Sequence, residues 1–346
     1  MGFFNSVANF IGVDVGVSGV KVIELSKING KAHLVNYGFS EEKGVDKSDW
    51  LDDYKKTAGV INKVLSESGV KSRSVYSASP AFSVFSSIIN IPNVVKNDLA
   101  YAIEWEAKKV IPMPIEEMIL DWKKIDKDPL AGNIGESYLL TGAPKTVVKK
   151  HLDTFKEAGL SLLGLEPETF SLIRALIGED KTTVIILEIG SGTSDVIFVE
   201  KGNPIFSRSV NVGGDTITKA IARHLNITTE KAEQFKHDMG SISTDNEVIS
   251  KLIVNAIAPI LNEIKYVINM YQNNGKTAEK IILSGGSSLI PGLVEYLSKS
   301  LNINVHLGDP WTFVSYPEDL RQMLDELGPR MTVAIGLALQ NLNPKK

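Results

Sequence analysis

The 346-residue chain contains no cysteine. That absence excludes disulfides, thiol catalysis and cysteine-ligated zinc, and it fits a reducing compartment. An excess of positive charge is also lacking: 41 acidic side chains face 37 lysines and arginines, for a formal charge of −4. The lysines are interspersed with acids rather than gathered into a stripe, so no electrostatic footprint for nucleic acid is present. Long apolar runs are missing too, and no window approaches the roughly 18 unbroken apolar residues of a membrane-spanning helix. The opening residues lack a basic segment followed by an apolar core, the pattern of a secretion signal. A cytoplasmic protein without a membrane span is predicted. Met1, Phe3, Phe4, Val7 and Phe10 fall at near-helical spacing. That spacing reads as a lead-in packed on its own domain, with a short interfacial helix as the other reading.

What is present is a soluble globular composition, 43% hydrophobic and 23% charged, in a chain long enough for two domains of roughly 150 residues. Strands are predicted over Ile11–Val15, Gly19–Ser26 and Ala32–Tyr37, with Asn29-Gly30 as a hairpin turn. From Asp49 to Ser68 the apolar residues shift to helical spacing. Strands follow over Val75–Ala78 and Phe82–Ile91, then a helix over Asp98–Val110 that stops before Ile111-Pro112-Met113-Pro114, and a strand over Glu136–Gly142. Lys145–Ala158 reads as a helix, Gly159–Glu166 as a link, and Pro167-Glu168 as the opening of another helix. Beyond it lie helices over Thr216–Leu225 and Ala232–Lys236, a long one over Val248–Gln272 kinked or broken at Pro259, one over Pro291–Ser300 and a small-residue helix over Thr332–Gln340. Lys280–Leu283 is the strand among them, and no low-complexity linker divides the halves.

One design occurs twice. Gly12-Val13-Asp14-Val15-Gly16-Val17-Ser18-Gly19-Val20-Lys21 returns as Leu187-Glu188-Ile189-Gly190-Ser191-Gly192-Thr193-Ser194-Asp195-Val196. Each copy is an apolar strand, an acid, a Gly/Ser/Thr turn and a second strand, so the candidate phosphate-binding residues are Gly16, Ser18, Gly19 and Lys21 in the first copy and Gly190, Gly192 and Thr193 in the second. Bare backbone N–H groups in such turns attract anions, and a cleft between two of them suits a nucleotide's phosphates and their metal ion. Asp14 and Glu188 would orient waters around magnesium, which keeps most of its hydration shell. A third turn, Ser284-Gly285-Gly286-Ser287, follows a strand in the second half and could lie against an adenine ring. For hydrolysis, Glu166 and Glu168 are the candidates to place the attacking water, and one of them reads better as a first-turn glutamate stabilising a helix N-terminus.

The series Asp14-Val15-Gly16, Glu188 to Thr193, Gly285-Gly286 and Ala334-x-Gly336 resembles the phosphate, adenosine and second connecting motifs of the superfamily uniting actin, heat-shock chaperone ATPases and sugar kinases. Gly213-Gly214-Asp215-Thr216-Ile217-Thr218 and Ala232 to Lys236 resemble its FtsA and PilM branch. The stretch Ala102-Ile103-Glu104-Trp105-Glu106-Ala107, with Ile111-Pro112-Met113-Pro114-Ile115-Glu116-Glu117 and Leu120-Asp121-Trp122, is similar to the signature of the PilM family of type IV pilus machines. The resemblance covers nearly the whole chain.

The resemblance implies an α/β, actin-like (ribonuclease H-like) two-domain fold with an inserted subdomain in each half. Residues 1–40 and 151–180 would form the first actin-like subdomain and 41–150 its partner-binding insertion. Residues 181–212 and 277–346 would form the second, with 213–276 inserted on the nucleotide-base side. ATP with magnesium would bind between the halves, with Gly213 and Gly214 in the site and Glu233 and Lys236 reaching ribose and adenine. Read without the resemblance, that pair is equally a solvent-facing i, i+3 salt bridge. The implied partners are the cytoplasmic tail of a PilN-like membrane protein, other pilus-machine components and further copies of the chain. Association with the inner membrane would then be peripheral. Glu188 stands where the pattern has aspartate, and a displacement of about 1 Å costs on the order of a hundredfold in rate. Tight nucleotide binding with slow turnover is expected. The alternatives are a small-molecule kinase of the superfamily, for which no substrate-base motif is evident, and an FtsA-like filament protein, whose basic amphipathic terminal helix is not matched by the closing Asn341 to Lys346.

Overall fold

The computed structural model describes residues 9–40, 51–126, 135–238, 247–340 and 342. Met1 to Val7 lie outside them, and Phe10 belongs to the first strand. The first half runs β1 (Asn9–Gly16), β2 (Gly19–Ile28), β3 (Lys31–Phe39), α1 (Tyr54–Glu67) and β4 (Ser74–Ser79). Next come β5 (Phe85–Ile91), α2 (Leu99–Val110), β6 (Met118–Ile125) and β7 (Glu136–Pro144). Then α3 (Lys145–Glu157), β8 (Ser161–Pro167) and α4 (Glu168–Leu176) lead into the second half. That half contains β9 (Val184–Ile189), β10 (Ser194–Glu200), β11 (Asn203–Val210), α5 (Gly214–Leu225), α6 (Thr229–Asp238) and α7 (Glu247–Gln272). It closes with β12 (Lys280–Ser284), α8 (Leu293–Leu301), β13 (Asn304–Leu307), β14 (Val314–Ser315) and α9 (Arg321–Ala338).

Two sheets carry the same strand order. The first reads β14-β3-β2-β1-β4-β8 and the second β11-β10-β9-β12-β13. In each, an antiparallel meander is followed by parallel strands. The central strands β1 and β9 are buried along nearly their whole length, as expected where helices cover both faces of a sheet. Ile11, Val13 and Val15 pack with Ile61, Val64, Leu65 and Phe155 on one side of the first sheet. Ile185, Leu187 and Phe198 pack with Ile221, Ile253 and Ile257 in the second. The first meander turns at Asn29 and Gly30, with φ of 52° and 81°, the left-handed pair that a two-residue hairpin needs.

Between the two sheets lie α4 and α9, whose Leu172, Ile173, Val333 and Leu337 share a core with Val184, Ile186 and Ile282. Their backbones cross at Gly336, where an added Cβ would stand 2.1 Å from the Ser171 carbonyl oxygen. The same helix presses on β1, where a Cβ on Gly12 would stand 2.1 Å from the Ala334 carbonyl oxygen. Small residues in the terminal helix therefore set how closely the two halves are joined.

Some elements differ from the sequence reading. Residues 159–166 were expected as a link, yet β8 pairs in parallel with β4; Gly164, which reads as a loop signal, lets the strand pass the Tyr76 ring, 2.9 Å from an added Cβ. The terminal helix starts at Arg321 and carries Pro329 inside it; the carbonyl of this buried proline accepts from Gly285 N at 3.0 Å. Pro259 likewise sits within a helix that runs on. Of the stretch 41–150, α1 and β4 belong with the first sheet. What stands apart is the sheet β5-β7-β6 with α2 on one face, closed by Ile89, Ile103, Ala107, Met118 and Leu140.

Overpacking a tight crossing costs about 1–3 kcal/mol. Gly336→Val should lower the melting temperature by several degrees in differential scanning calorimetry, whereas an unchanged value would show that the α4–α9 approach is not tight.

Candidate functional site

Both hairpins bring their acids to the same place. In β1–β2, Asp14 lies opposite Lys21, and Gly16 opposite Gly19 closes a two-residue turn of Val17 and Ser18. Gly19 has φ of 135°, and Ser40 pins the turn: Val20 N donates to Ser40 Oγ at 2.9 Å and Ser40 N to the Val20 carbonyl at 2.8 Å. In β9–β10, Glu188 lies opposite Asp195, and Ile189 opposite Ser194 encloses the turn Gly190 to Thr193. The two turns meet, since a Cβ on Gly192 would stand 3.5 Å from Val17 Cγ1.

Further loops close around them. Gly214 N donates to the Gly190 carbonyl and Asp215 N to the Ser191 carbonyl, each at 2.9 Å, with Gly190 N bonded to the Thr193 carbonyl at 3.0 Å. A Cβ on Gly213 would lie 2.5 Å from the Ser191 carbonyl oxygen, so only glycine lets these turns touch. Gly285, with φ of 88°, would place a Cβ 2.4 Å from the Ile189 carbonyl oxygen and 2.7 Å from Glu188 Oε1. Ser287 Oγ would stand 2.2 Å from a Cβ on Gly214. Beside Gly286, Arg330 holds its guanidinium 5.1 Å over the ring of Phe39, which belongs to the first sheet. The three glycine turns of the sequence, and Gly213-Gly214, thus converge on one cleft.

Lys236 is 2% exposed. Its ammonium donates to Glu233 at 2.8 and 2.9 Å, to Thr218 Oγ1 at 3.1 Å and to the Gly214 carbonyl at 3.4 Å. The solvent-facing reading of the Glu233–Lys236 pair therefore fails for the lysine, which points into the protein beside the glycine turn. Burial alone would raise the pKa of Glu233, but bonds from His237, Lys236 and Thr218 hold it at about 2.

The floor of the cleft is a charge cluster. Lys21 Nζ donates to Asp14 Oδ2 at 2.8 Å in a largely buried pair. Burial works against the ammonium, yet Asp14, Glu188 and Glu168 together hold its pKa above the ordinary lysine value. Burial, with Asp195 and Asp14 nearby, pushes Glu188 up to about 8 against the pull of Lys21. Asp195 is raised to about 6 by burial, with a bond from Ser209 opposing. Glu168 is raised well above the carboxylate range by burial and by Asp14, Asp195 and Glu188.

The two hydrolysis candidates part company here. Glu166, at the end of β8, accepts from Ser171 Oγ at 2.6 Å and from both terminal nitrogens of Arg174 at 2.7 and 2.8 Å. Arg174 also donates to the Gly336 carbonyl at 2.7 Å, so Glu166 ties α4 to α9 and is not available to place a water. Glu168, in the first turn of α4, faces the cluster. Asp195 was missed in the sequence; the signal was its register, opposite Glu188 as Lys21 is opposite Asp14. Among the described residues, no group of three or more His, Cys, Asp or Glu side chains is arranged to ligate a metal directly.

Two lobes of one strand order, hinged on crossed helices and lined by glycine turns, define the actin-like class. Solved structures agree: the chain is similar to MreB5 of Spiroplasma citri bound to AMPPNP (TM-score 0.52, 16% identity, covering 95% of this chain and 94% of that one). It is also similar to the ethanolamine utilization protein EutJ of Carboxydothermus hydrogenoformans (TM-score 0.59, 18% identity, 96% and 89% coverage). Within that class the chain belongs to the family of the type IV pilus assembly protein PilM, whose model matches residues 12–342. A solved PilM-PilN type IV pilus biogenesis complex has the same fold at a TM-score of 0.84, with 24% identity over 97% of this chain and 99% of that one. Cell division protein FtsA of Streptococcus pneumoniae is 23% identical over 349 residues, 87% of this chain and 75% of that protein. No helix among the described residues is long and apolar enough to cross a membrane.

A carboxyl whose pKa is higher in the folded than in the unfolded chain binds its proton more tightly when folded, so stability falls as pH rises between the two values. For Glu188 that window runs from the ordinary carboxylate range to about 8. Glu188→Gln should therefore stabilise the ligand-free protein by a few kcal/mol at pH 9 and by little near pH 4.5. Urea unfolding at the two pH values checks this, and an equal effect at both would contradict the burial of that charge.

Proposed function

We propose that the chain is a cytoplasmic ATP-binding scaffold of a type IV pilus machine, held to the inner membrane by the tail of a PilN-like protein. The observation that carries the nucleotide half of this reading is the convergence of four glycine-containing turns beside a buried cluster of four carboxyl groups in which Lys21 pairs closely with Asp14 alone. Turns of that kind present backbone N–H groups to phosphates. Asp14, Glu188 and Asp195 would hold magnesium through its waters, the mode this ion favours, and the ion would offset their mutual repulsion and the charge of the phosphates. Gly285, Gly286 and Ser287 would take the adenosine, with Glu233 and Lys236 at its ribose and base edge.

Turnover on this reading is slow. Glu168 is the residue left to position water, and burial with the neighbouring acids raises its pKa, which favours the protonated form, a poor state for accepting a proton. Glu188 adds its longer side chain where the family pattern has aspartate. A protein built this way reports whether nucleotide is bound rather than consuming it quickly.

The partner half of the reading rests on family membership and on the inserted subdomain of the first half, which we place after β4 on its sheet membership. Its strand β5 lies at a sheet edge. A small cleft beside it is lined by Val84, Ser86, Thr169, Phe170, Ile205 and Phe206. An extended peptide can join a strand edge by main-chain bonds while alternate side chains enter apolar pockets.

Magnesium-ATP should bind in calorimetry, and Asp14→Ala should weaken it about tenfold or more, the scale of a lost charged hydrogen bond; unchanged affinity would remove Asp14 from the site. A labelled peptide copying the cytoplasmic tail of the PilN-like protein encoded nearby should bind in a fluorescence titration. No binding with or without ATP would sink the scaffold reading and leave the nucleotide reading standing.

A further inference from the structure

Helix α2 buries Ile103 and Ala107 against its own sheet. The opposite side carries Tyr101 and Trp105, 75% and 66% exposed. Exposed aromatics of this size contribute large apolar area and are found at interfaces far more often than on plain solvent faces. The other tryptophans with described side chains do not stand out in this way: Trp311 is buried with its indole N–H on the Leu324 carbonyl, and Trp122 packs against the insertion's core.

Lys108 extends the same stripe at the C-terminal end of α2, and Asp98, the last residue of the 3-10 turn that leads into the helix, stands at its other end. Spacings of four and three residues put Tyr101, Trp105 and Lys108 within one narrow arc of the helix, and Asp98 precedes Tyr101 by three residues. Asp98 and Lys108 are both exposed. Neither has an ion-pair partner among the described residues, and Tyr101 and Trp105 make no ring contact there. The stripe is thus acid, aromatic, aromatic, base, with its midpoint at the level of residue 103.

Such a pattern is complementary to itself. When two copies of α2 lie antiparallel about a two-fold axis through that midpoint, Asp98 of each faces Lys108 of the other, and Tyr101 of each faces Trp105 of the other. Every contact is made twice, the property of an isologous interface. Antiparallel helix dipoles add to the attraction. We propose that this face of α2 is a self-association surface, pairing two copies of the chain about a two-fold axis with the helices antiparallel.

Other occupants fit the charges less well. An anionic lipid surface would need a net positive stripe, but Glu104 and Lys109 flank Asp98 and Lys108 and leave the face neutral. A peptide of one charge would meet its opposite at one end only.

Area sets the strength. Four aromatic side chains at about 150 Å² each, with their charged rims, bury less than the roughly 1,200 Å² of a standard stable interface. The pair is therefore weak in dilute solution and forms where a machine holds copies at high local concentration.

Sedimentation equilibrium of the full chain up to millimolar concentration should show monomer and dimer. Trp105→Ala should abolish the dimer without lowering the melting temperature. Asp98→Lys should weaken it about tenfold by facing like charges, and Asp98→Lys combined with Lys108→Asp should restore it. Because the chain has no cysteine, Glu104→Cys beside the stripe should cross-link with a short bis-maleimide while Lys31→Cys, on a distant turn, does not. A monomer at every concentration with no selective cross-link, a dimer that survives Trp105→Ala, or a double variant no better than the single would each overturn the proposal. So would loss of tail-peptide binding in Trp105→Ala with the dimer intact, which would give the surface to the partner.

Discussion

Four carboxyl groups share one buried cleft with a single close cation partner, and the behaviour of the site follows from that imbalance. Asp14 is answered by Lys21 at 2.8 Å. Glu168, Glu188 and Asp195 are not answered in the same way, and burial raises the pKa of each. Burial thus favours the protonated form of each, most clearly for Glu188, which is pushed up to about 8. A hydrated divalent cation would instead hold the groups ionised, and would link metal uptake to proton release. The cleft is thus an incomplete electrostatic structure that a metal–phosphate ligand would complete.

The two hairpins show how one backbone design serves unequal roles. Each places an acid on its first strand and a titratable side chain directly opposite on its second: Asp14 with Lys21, Glu188 with Asp195. The first hairpin carries a neutral pair and a two-residue turn; the second carries two acids and a four-residue turn. Phosphate would be met by ammonium and N–H groups on one side and, through a metal, by carboxyls on the other. The two hairpins share one backbone design and differ in the residue that faces the acid, Lys21 in one and Asp195 in the other.

Much of this was legible in the sequence because glycine turns and apolar strands are local signals. Asn29-Gly30 takes the left-handed turn expected of it, and Gly213, Gly214 and Gly285 stand where a Cβ would meet a neighbour at 2.2 to 2.5 Å. What escaped depends on partners distant in sequence. Residues 159–166 look like a link until β4 supplies the ladder of β8. Lys236 looks solvent-facing because helical spacing to Glu233 gives no hint of Thr218 and Gly214 behind it. Asp195 escaped because its meaning lies in cross-strand register, which a linear reading does not display.

Glu166 and Glu168 carry that point into mechanism. Two residues apart at the junction of β8 and α4, they point to different surroundings. Glu166 is clamped by Ser171 and Arg174, and through Arg174 to the Gly336 carbonyl of α9. Glu168 looks into the carboxyl cluster. The first therefore ties the crossing of α4 and α9, and the second lies among the buried carboxyls. Only Pro167 separates the two residues, so one short piece of backbone carries both the clamp that ties α4 to α9 and the carboxyl that lies among the buried acids.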